Sequence, residues 1–281
     1  MRLLKQLGQL VAVVVVALAG SLAVQAVHWN TPLTLILGVG TAVLAVVVYA
    51  WMVRWTEGRP AVEVARKGAV AATGRGMLIG VGLFAAVIVN IAFLGGYRIA
   101  GWGSVAGAVA LVGFMAAAAV TEELMFRGVL FRIVEERIGT WTALALTGLL
   151  FGLSHLANPH ATLWGAIAIA VEAGGMLAAA YAATRNLWVT IGLHFGWNFA
   201  EAGIFGTEVS GNGTPQGLLN GVVSGPSPIS GGEFGPEASV YSVLAGVVLT
   251  VVFMWLARRR GHLVPFRGRG ARAGAPATLT R

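Results

Sequence analysis

Long apolar stretches, broken at intervals by short clusters of arginine, lysine and glutamate, run through most of the 281 residues. A helix needs about 20 mostly apolar residues to cross a bilayer. Eight stretches approach that length: 7–27, 33–53, 77–95, 104–134, 140–157, 160–184, 187–205 and 239–257. The fourth is too long for one crossing. Its last turns, Phe131 to Arg137, carry Arg132, Glu135 and Glu136 and are expected to leave the hydrocarbon. The pattern therefore predicts an all-α polytopic membrane protein with about eight transmembrane helices.

The basic residues orient this map. With the N-terminus inside, the inside segments hold Arg2 and Lys5, then Arg54, Arg59, Arg66, Lys67 and Arg75. Arg132, Arg137 and Arg185 follow, and the tail adds Arg258, Arg259, Arg260, Arg267, Arg269, Arg272 and Arg281. That is 17 of the 19 Lys and Arg; Arg98 falls outside and Arg127 within a span. Positive charge gathers on the cytoplasmic side of membrane proteins, so both termini are expected in the cytoplasm and the chain in the plasma membrane as a multi-pass protein. Residues 1–26 also have marks of a signal peptide: Arg2 and Lys5, an apolar run, then "VQA". The run is long for a signal, so a retained helix is expected.

Four regions follow. Residues 1–103 hold the first three helices and residues 104–205 a helical core. Residues 206–238, rich in Gly, Ser and Pro, read as an external flexible loop. Residues 239–281 hold the last helix and a basic, disordered tail whose arginines would lie against anionic lipid.

Composition removes several classes. A chain that is 57% hydrophobic and 11% charged, with mean hydropathy +0.80, lacks the polar surface of a soluble domain. The net charge of +8 sits in arginine-rich segments assigned to the cytoplasm, so no nucleic-acid partner is expected. There is no cysteine, and all 11 acidic residues are glutamate. Thiol chemistry and an aspartyl dyad are excluded, and no HExxH zinc motif occurs.

Ionisable groups inside a span are costly and mark function. "TEELMFRG" (121–128) places Glu122, Glu123 and Arg127 in the fourth span; "FGLSH" ends at His155; "HFGWN" contains His194 and Asn198; Glu172 lies in the sixth span. Glu123 and Arg127 are four apart, so they share a helix face and form an ion pair with the acid first. Glu122 is rotated about 100° away and free to face a cavity. His194 and Asn198 are also one turn apart, and Phe151 lies one turn before His155. Measured along the helices, Glu122 lies about 20 Å and His155 about 25 Å from the cytoplasmic surface, but His194 only about 12 Å. Tilt or a longer seventh span must close that gap.

A carboxylate, two imidazoles and an amide inside a bilayer suit hydrolysis. Glu122 can act as general base on a water that His155 helps to position or deprotonate. His194 and Asn198 can donate hydrogen bonds to a carbonyl oxygen as it gains charge. Glu123, Arg127 and Phe151 read as structural support, and Glu172 as open. Ser154 points away from its neighbour's face; His28 and His160 sit at span ends and His262 in the tail. No cofactor is expected, with a zinc set of Glu122, His155 and His194 as the alternative.

Together "EExxxR" (Glu122, Glu123, Arg127), "FxxxH" (Phe151, His155) and "HxxxN" (His194, Asn198) resemble the CPBP family of intramembrane glutamic endopeptidases, the group of type II CAAX prenyl endopeptidases and Abi bacteriocin-immunity proteins. The likeness covers about residues 104–203 and is strengthened by "YAATRNLWVTIGLHFGWNF". It implies an eight-helix core with a cavity open to the cytoplasm, water activation by Glu122 and His155, and an oxyanion hole of His194 and Asn198. It implies a peptide or protein substrate, lipid-modified or not, beside membrane lipids; no residue is assigned to substrate binding. A non-catalytic immunity or scaffold protein and a proton-coupled transporter are the alternatives.

Overall fold

The computed structural model describes residues 2–266. Its α-helices are α1 (Arg2–Ala26), α2 (Thr31–Glu57), α3 (Ala69–Phe93), α4 (Val105–Glu123), α5 (Arg132–Ile138), α6 (Thr140–Ser154), α7 (Leu163–Ile169), α8 (Met176–Thr184), α9 (Leu187–Asn198), α10 (Ser227–Ser230) and α11 (Val240–Arg259). Three π-helical turns join or extend them: Leu124–Phe131 between α4 and α5, Ala170–Gly175 between α7 and α8, and Phe199–Ile204 after α9. Among the described residues, seven helical segments are long and apolar enough to cross a membrane, with α4 and α5 forming one and α7 and α8 another. The eighth expected span is α9 with its π-helical extension, a shorter element not counted among the seven.

Helix starts follow side-chain capping. Asn30, Ser104, Thr162, Asn186 and Ser239 each accept a hydrogen bond from a backbone N–H in the first turn of the helix that follows. Gly58 ends α2 at φ 68, a conformation that suits glycine.

Helices α3 and α9 cross at the closest approach that backbones allow. Gly76 and Gly80 on α3 face Gly192 and Gly196 on α9, each pair four apart. A Cβ on Gly80 would lie 2.3 Å from Leu193 O, and one on Gly196 would lie 2.4 Å from Met77 O. Small residues at this spacing are how helices pack where no hydrophobic force separates protein from lipid. His194 sits between the two α9 glycines, so this crossing fixes its depth.

The segment 206–238, expected to be a flexible connector, carries secondary structure. Strand β2 (Leu219–Val223) pairs antiparallel with β1 (Tyr97–Trp102), with Tyr97 opposite Val223 and Trp102 opposite Leu219. Phe234 and Glu237 are buried, and the Trp164 indole donates to Ala238 O. Glycine and serine here supply turns and backbone partners, which composition alone reads as slack. The tail arginines from Arg267 onward lie outside the described residues.

The opposite end of the bundle, rich in arginine, is closed by a charge network. Arg59 donates to both oxygens of Glu63 at 2.9 Å and to Glu57 at 2.6 Å. Arg132 reaches Glu57 at 2.6 Å and Glu63 at 3.2 Å, and Gln9 on α1 donates to Glu57 at 2.8 Å. Glu135 accepts from Arg185 and Thr140. These contacts tie α1 into the bundle as a packed element.

Two expectations follow. Gly196→Ala should drive α3 and α9 apart and lower stability by about 1–3 kcal/mol, read as a lower melting temperature in detergent, whereas Gly82→Ala, which meets no neighbour within 4 Å, should not. Burial pushes the Glu63 carboxyl up, but the Arg59 hydrogen bonds and the Arg132 charge outweigh it and hold it below the usual carboxylate range. Its contribution is then full above the unfolded-state value of about 4.3 and is lost as pH falls through the lower folded-state value. The stability gap between wild type and Glu63→Gln should stay constant down to about pH 5 and narrow below about pH 4.

Candidate active site

The end of α4 delivers Glu122 and Glu123 to the interior, and the π-helical turn that follows delivers Arg127. Inserted π-turns recur at functional sites. Glu123 and Arg127 are 0% and 1% exposed, and Arg127 Nη1 donates to Glu123 Oε1 at 2.7 Å. The pairing expected from their spacing is therefore present. A buried carboxylate must be paired to be tolerated.

The same Glu123 oxygen takes a second partner. His194 Nδ1 lies 3.1 Å from Glu123 Oε1. A carboxylate only accepts, so Nδ1 carries the proton and Nε2 is turned the other way, toward Glu122 Oε2 at 4.0 Å. Glu123 is thus more than the counter-charge of Arg127: it also sets the orientation of His194. That link, across 71 residues, could not be read from helical spacing. The depth gap expected for His194 is closed, since α9 brings it level with the end of α4.

Arg127 has further work. Its Nη2 donates to Ala173 O at 3.1 Å and Gly174 O at 3.2 Å, so it fastens the π-turn of 170–175 to that of 124–131. Its guanidinium stands 4.5 Å over the Phe151 ring. That ring lies 4.8 Å from the His155 ring and 6.0 Å from the His194 ring, with Phe126 at 5.1 Å on its edge. Phe151 is the wall common to the cation and both imidazoles.

His155 opens a short 3-10 turn at the end of α6 and is half-buried. Its Nδ1 lies 2.7 Å from Phe151 O, with Ser154 Oγ at 3.4 Å. A carbonyl accepts only, so Nδ1–H donates and Nε2 carries the lone pair. His155 makes no hydrogen bond to Glu122; the two are related through Phe151 and His194. Asn198 closes α9 one turn beyond His194, half-buried, and its amide meets no protein partner among the described residues. Glu122 keeps 26% of its side chain exposed. Among the described residues, no three His, Cys, Asp or Glu side chains converge closely enough to hold a metal ion.

Glu172 lies in the π-turn whose carbonyls Arg127 grips, fully buried, with neither oxygen meeting a protein donor. Two more buried acids were missed in the sequence. Glu201, in the π-turn after α9, is fully buried, and among the described residues neither oxygen meets a donor in good hydrogen-bond geometry. Glu237 accepts from Trp197 Nε1 at 3.1 Å and Ser210 Oγ at 2.5 Å. The position of Glu201 at the end of the seventh apolar stretch was the available signal for it; Glu237 had none.

Residues 102–200 match the family model described as Rce1-like, type II CAAX prenyl endopeptidase. The matched segment, about a third of the chain, runs from the end of β1 to the turn after α9 and contains Glu122, Glu123, Arg127, Phe151, His155, His194 and Asn198, but neither Glu201 nor Glu237. Over this segment the chain is similar to the CPBP/CAAX family, and the likeness supports intramembrane protease activity in general. No curated protein and no solved structure matches the chain.

Removing one partner of a buried ion pair leaves an uncompensated charge. Arg127→Met should cost about 3–5 kcal/mol. Adding Glu123→Gln to it should recover part of that loss, because the double variant buries no unpaired charge. Denaturant unfolding of the three proteins in detergent measures both effects.

Proposed function

We propose that the protein is an intramembrane glutamic endopeptidase of CAAX type, with Glu122 as the base that activates water. The observation that carries this reading is the run Glu122–His194–Glu123–Arg127 in the interior of the helix bundle, with only its first member partly open and, among the described residues, without a protein donor at Oε2. A base must be reachable by water and substrate, and its supporting groups must not be.

In this reading Glu122 takes a proton from water as the oxygen attacks the peptide carbonyl. His155, held through Nδ1 by Phe151 O, keeps Nε2 available to accept from the same water. The carbonyl oxygen gains charge and draws on Asn198 and on His194. For His194 Nε2 to donate, the ring must carry both protons, and Glu123 on Nδ1 is the counter-charge for that form. The proton held on Glu122 then passes to the leaving amine, and the free carboxyl and amino termini separate. No metal is required for any step. The arginine-rich end faces the cytoplasm in this orientation, in the plasma membrane, and the substrate is a peptide or protein segment, lipid-modified or not.

The test is cleavage of a fluorogenic peptide library, with and without lipid-modified members, by the purified protein. Glu122→Gln should lower the rate by about 10²–10⁴-fold while leaving the melting temperature unchanged, and a chelator should have no effect. Loss of cleavage with chelator would move Glu122, His155 and His194 to zinc ligands. Full biological function in Glu122→Gln would point instead to a non-catalytic immunity or scaffold protein.

A further inference from the structure

Tyr49 carries a buried hydroxyl where the arginine-rich end of the bundle meets the π-turn after α4. It is fully buried on α2. Its hydroxyl lies 2.6 Å from Glu63 Oε1 and 2.9 Å from Gly128 O, and Arg132 Nη1 donates to it at 3.0 Å. Gly128 is the residue after Arg127, inside the π-turn that follows the two glutamates. A Cβ on Gly128 would lie 3.1 Å from the Tyr49 ring, so the ring rests directly on this backbone.

In a regular α-helix the amide of residue 132 would bond to Gly128 O. Here the Arg132 N–H turns to Val129 O, and Gly128 O is approached by two side chains, Tyr49 and Arg132, the latter through Nη1 at 3.0 Å. A hydroxyl has one proton to give. The shorter contact to the ionised Glu63 takes it, since hydrogen bonds to a charged acceptor are the stronger ones. Gly128 O is then left to the Arg132 guanidinium. Glu63 is itself clamped by two hydrogen bonds from Arg59, outside the spans. The proton direction, the ring and the guanidinium together fix how far the helix has advanced at residue 128. Glu122 lies six residues away on the same helix.

We propose, taking Glu122 as the base described above, that Tyr49 held by Glu63 is a positioning residue for Glu122, Glu123 and Arg127. It acts through Gly128 and touches neither substrate nor water. Displacements on the order of 1 Å at a reacting group cost up to about 10²-fold in rate, so a residue that sets helix register need not be near the chemistry.

The experiment compares wild type, Tyr49→Phe, Glu63→Gln and Gln9→Ala in peptide cleavage and in hydrogen–deuterium exchange across residues 124–131. Gln9 binds Thr56 and Glu57 in the same polar network but does not reach Gly128, so it reports on the network as mere scaffolding. Expected for Tyr49→Phe and Glu63→Gln is a fall in kcat of about tenfold, with KM within about twofold and faster exchange in 124–131. Gln9→Ala should match wild type in both readouts. A Tyr49→Phe enzyme with wild-type kcat, while Glu122→Gln is inactive, would overturn the inference. So would a Gln9→Ala enzyme as impaired as Tyr49→Phe. If wild type cleaves nothing, the reading of Glu122 fails, and exchange alone decides: unchanged protection of 124–131 in Tyr49→Phe overturns the positioning role.

Discussion

A carboxylate sealed from water dictates much of this molecule. Glu123 Oε1 is shared by Arg127 and His194, and each partner carries the constraint outward. Arg127, committed to Glu123 through Nη1, turns Nη2 to the carbonyls of Ala173 and Gly174 and its face to Phe151. His194, committed through Nδ1, can present only Nε2 to Glu122. In a low-dielectric interior such a network holds its geometry firmly because each broken contact would strand a charge. The surrounding helices are arranged so that none is broken: α9 comes close enough to α3 for bare backbones to touch, and α6 places Phe151 under the guanidinium.

The two ends of the bundle handle charge in opposite ways. At the arginine-rich end, acids and bases alternate through Gln9, Glu57, Arg59, Glu63 and Arg132, and the carboxylates meet donors. Toward the β1–β2 end, Glu201 sits buried in a π-turn without a cation beside it among the described residues, while Glu237 accepts from neutral groups, the Trp197 indole and the Ser210 hydroxyl. Between Arg185 and Arg258 the chain carries no arginine or lysine, and that stretch contains both Glu201 and Glu237. The bias that orients the chain thus also decides which acids find cations.

What the sequence made legible was local. Apolar length marked the spans, and the four-residue spacing of Glu123 and Arg127 marked their pairing, because both properties belong to one helix. The second role of Glu123 depends on α9, which arrives 71 residues later, and no spacing rule reaches that far. The strands were hidden for a related reason. "LNGVV" and "YRIAGW" are short and lie on either side of the core, and a glycine-rich segment reads as loose until its partner is known. The π-turns were invisible because nothing in composition separates them from α-helix; only the resulting bonds do.

A π-turn contains one residue more than the α-helical turn it replaces. Between α4 and α5 that surplus lies within residues 124–131. Were the chain one residue shorter there, the helix could close regularly with α4 and α5 still in phase, because the turn holds its surplus without passing it on. The residues inside the turn would be re-aimed instead, Arg127 and Gly128 among them, while Arg132 stayed at its post beside Glu57 and Glu63. The length of this stretch is therefore information in its own right: the helix can absorb many changes of letter, and far fewer changes of count.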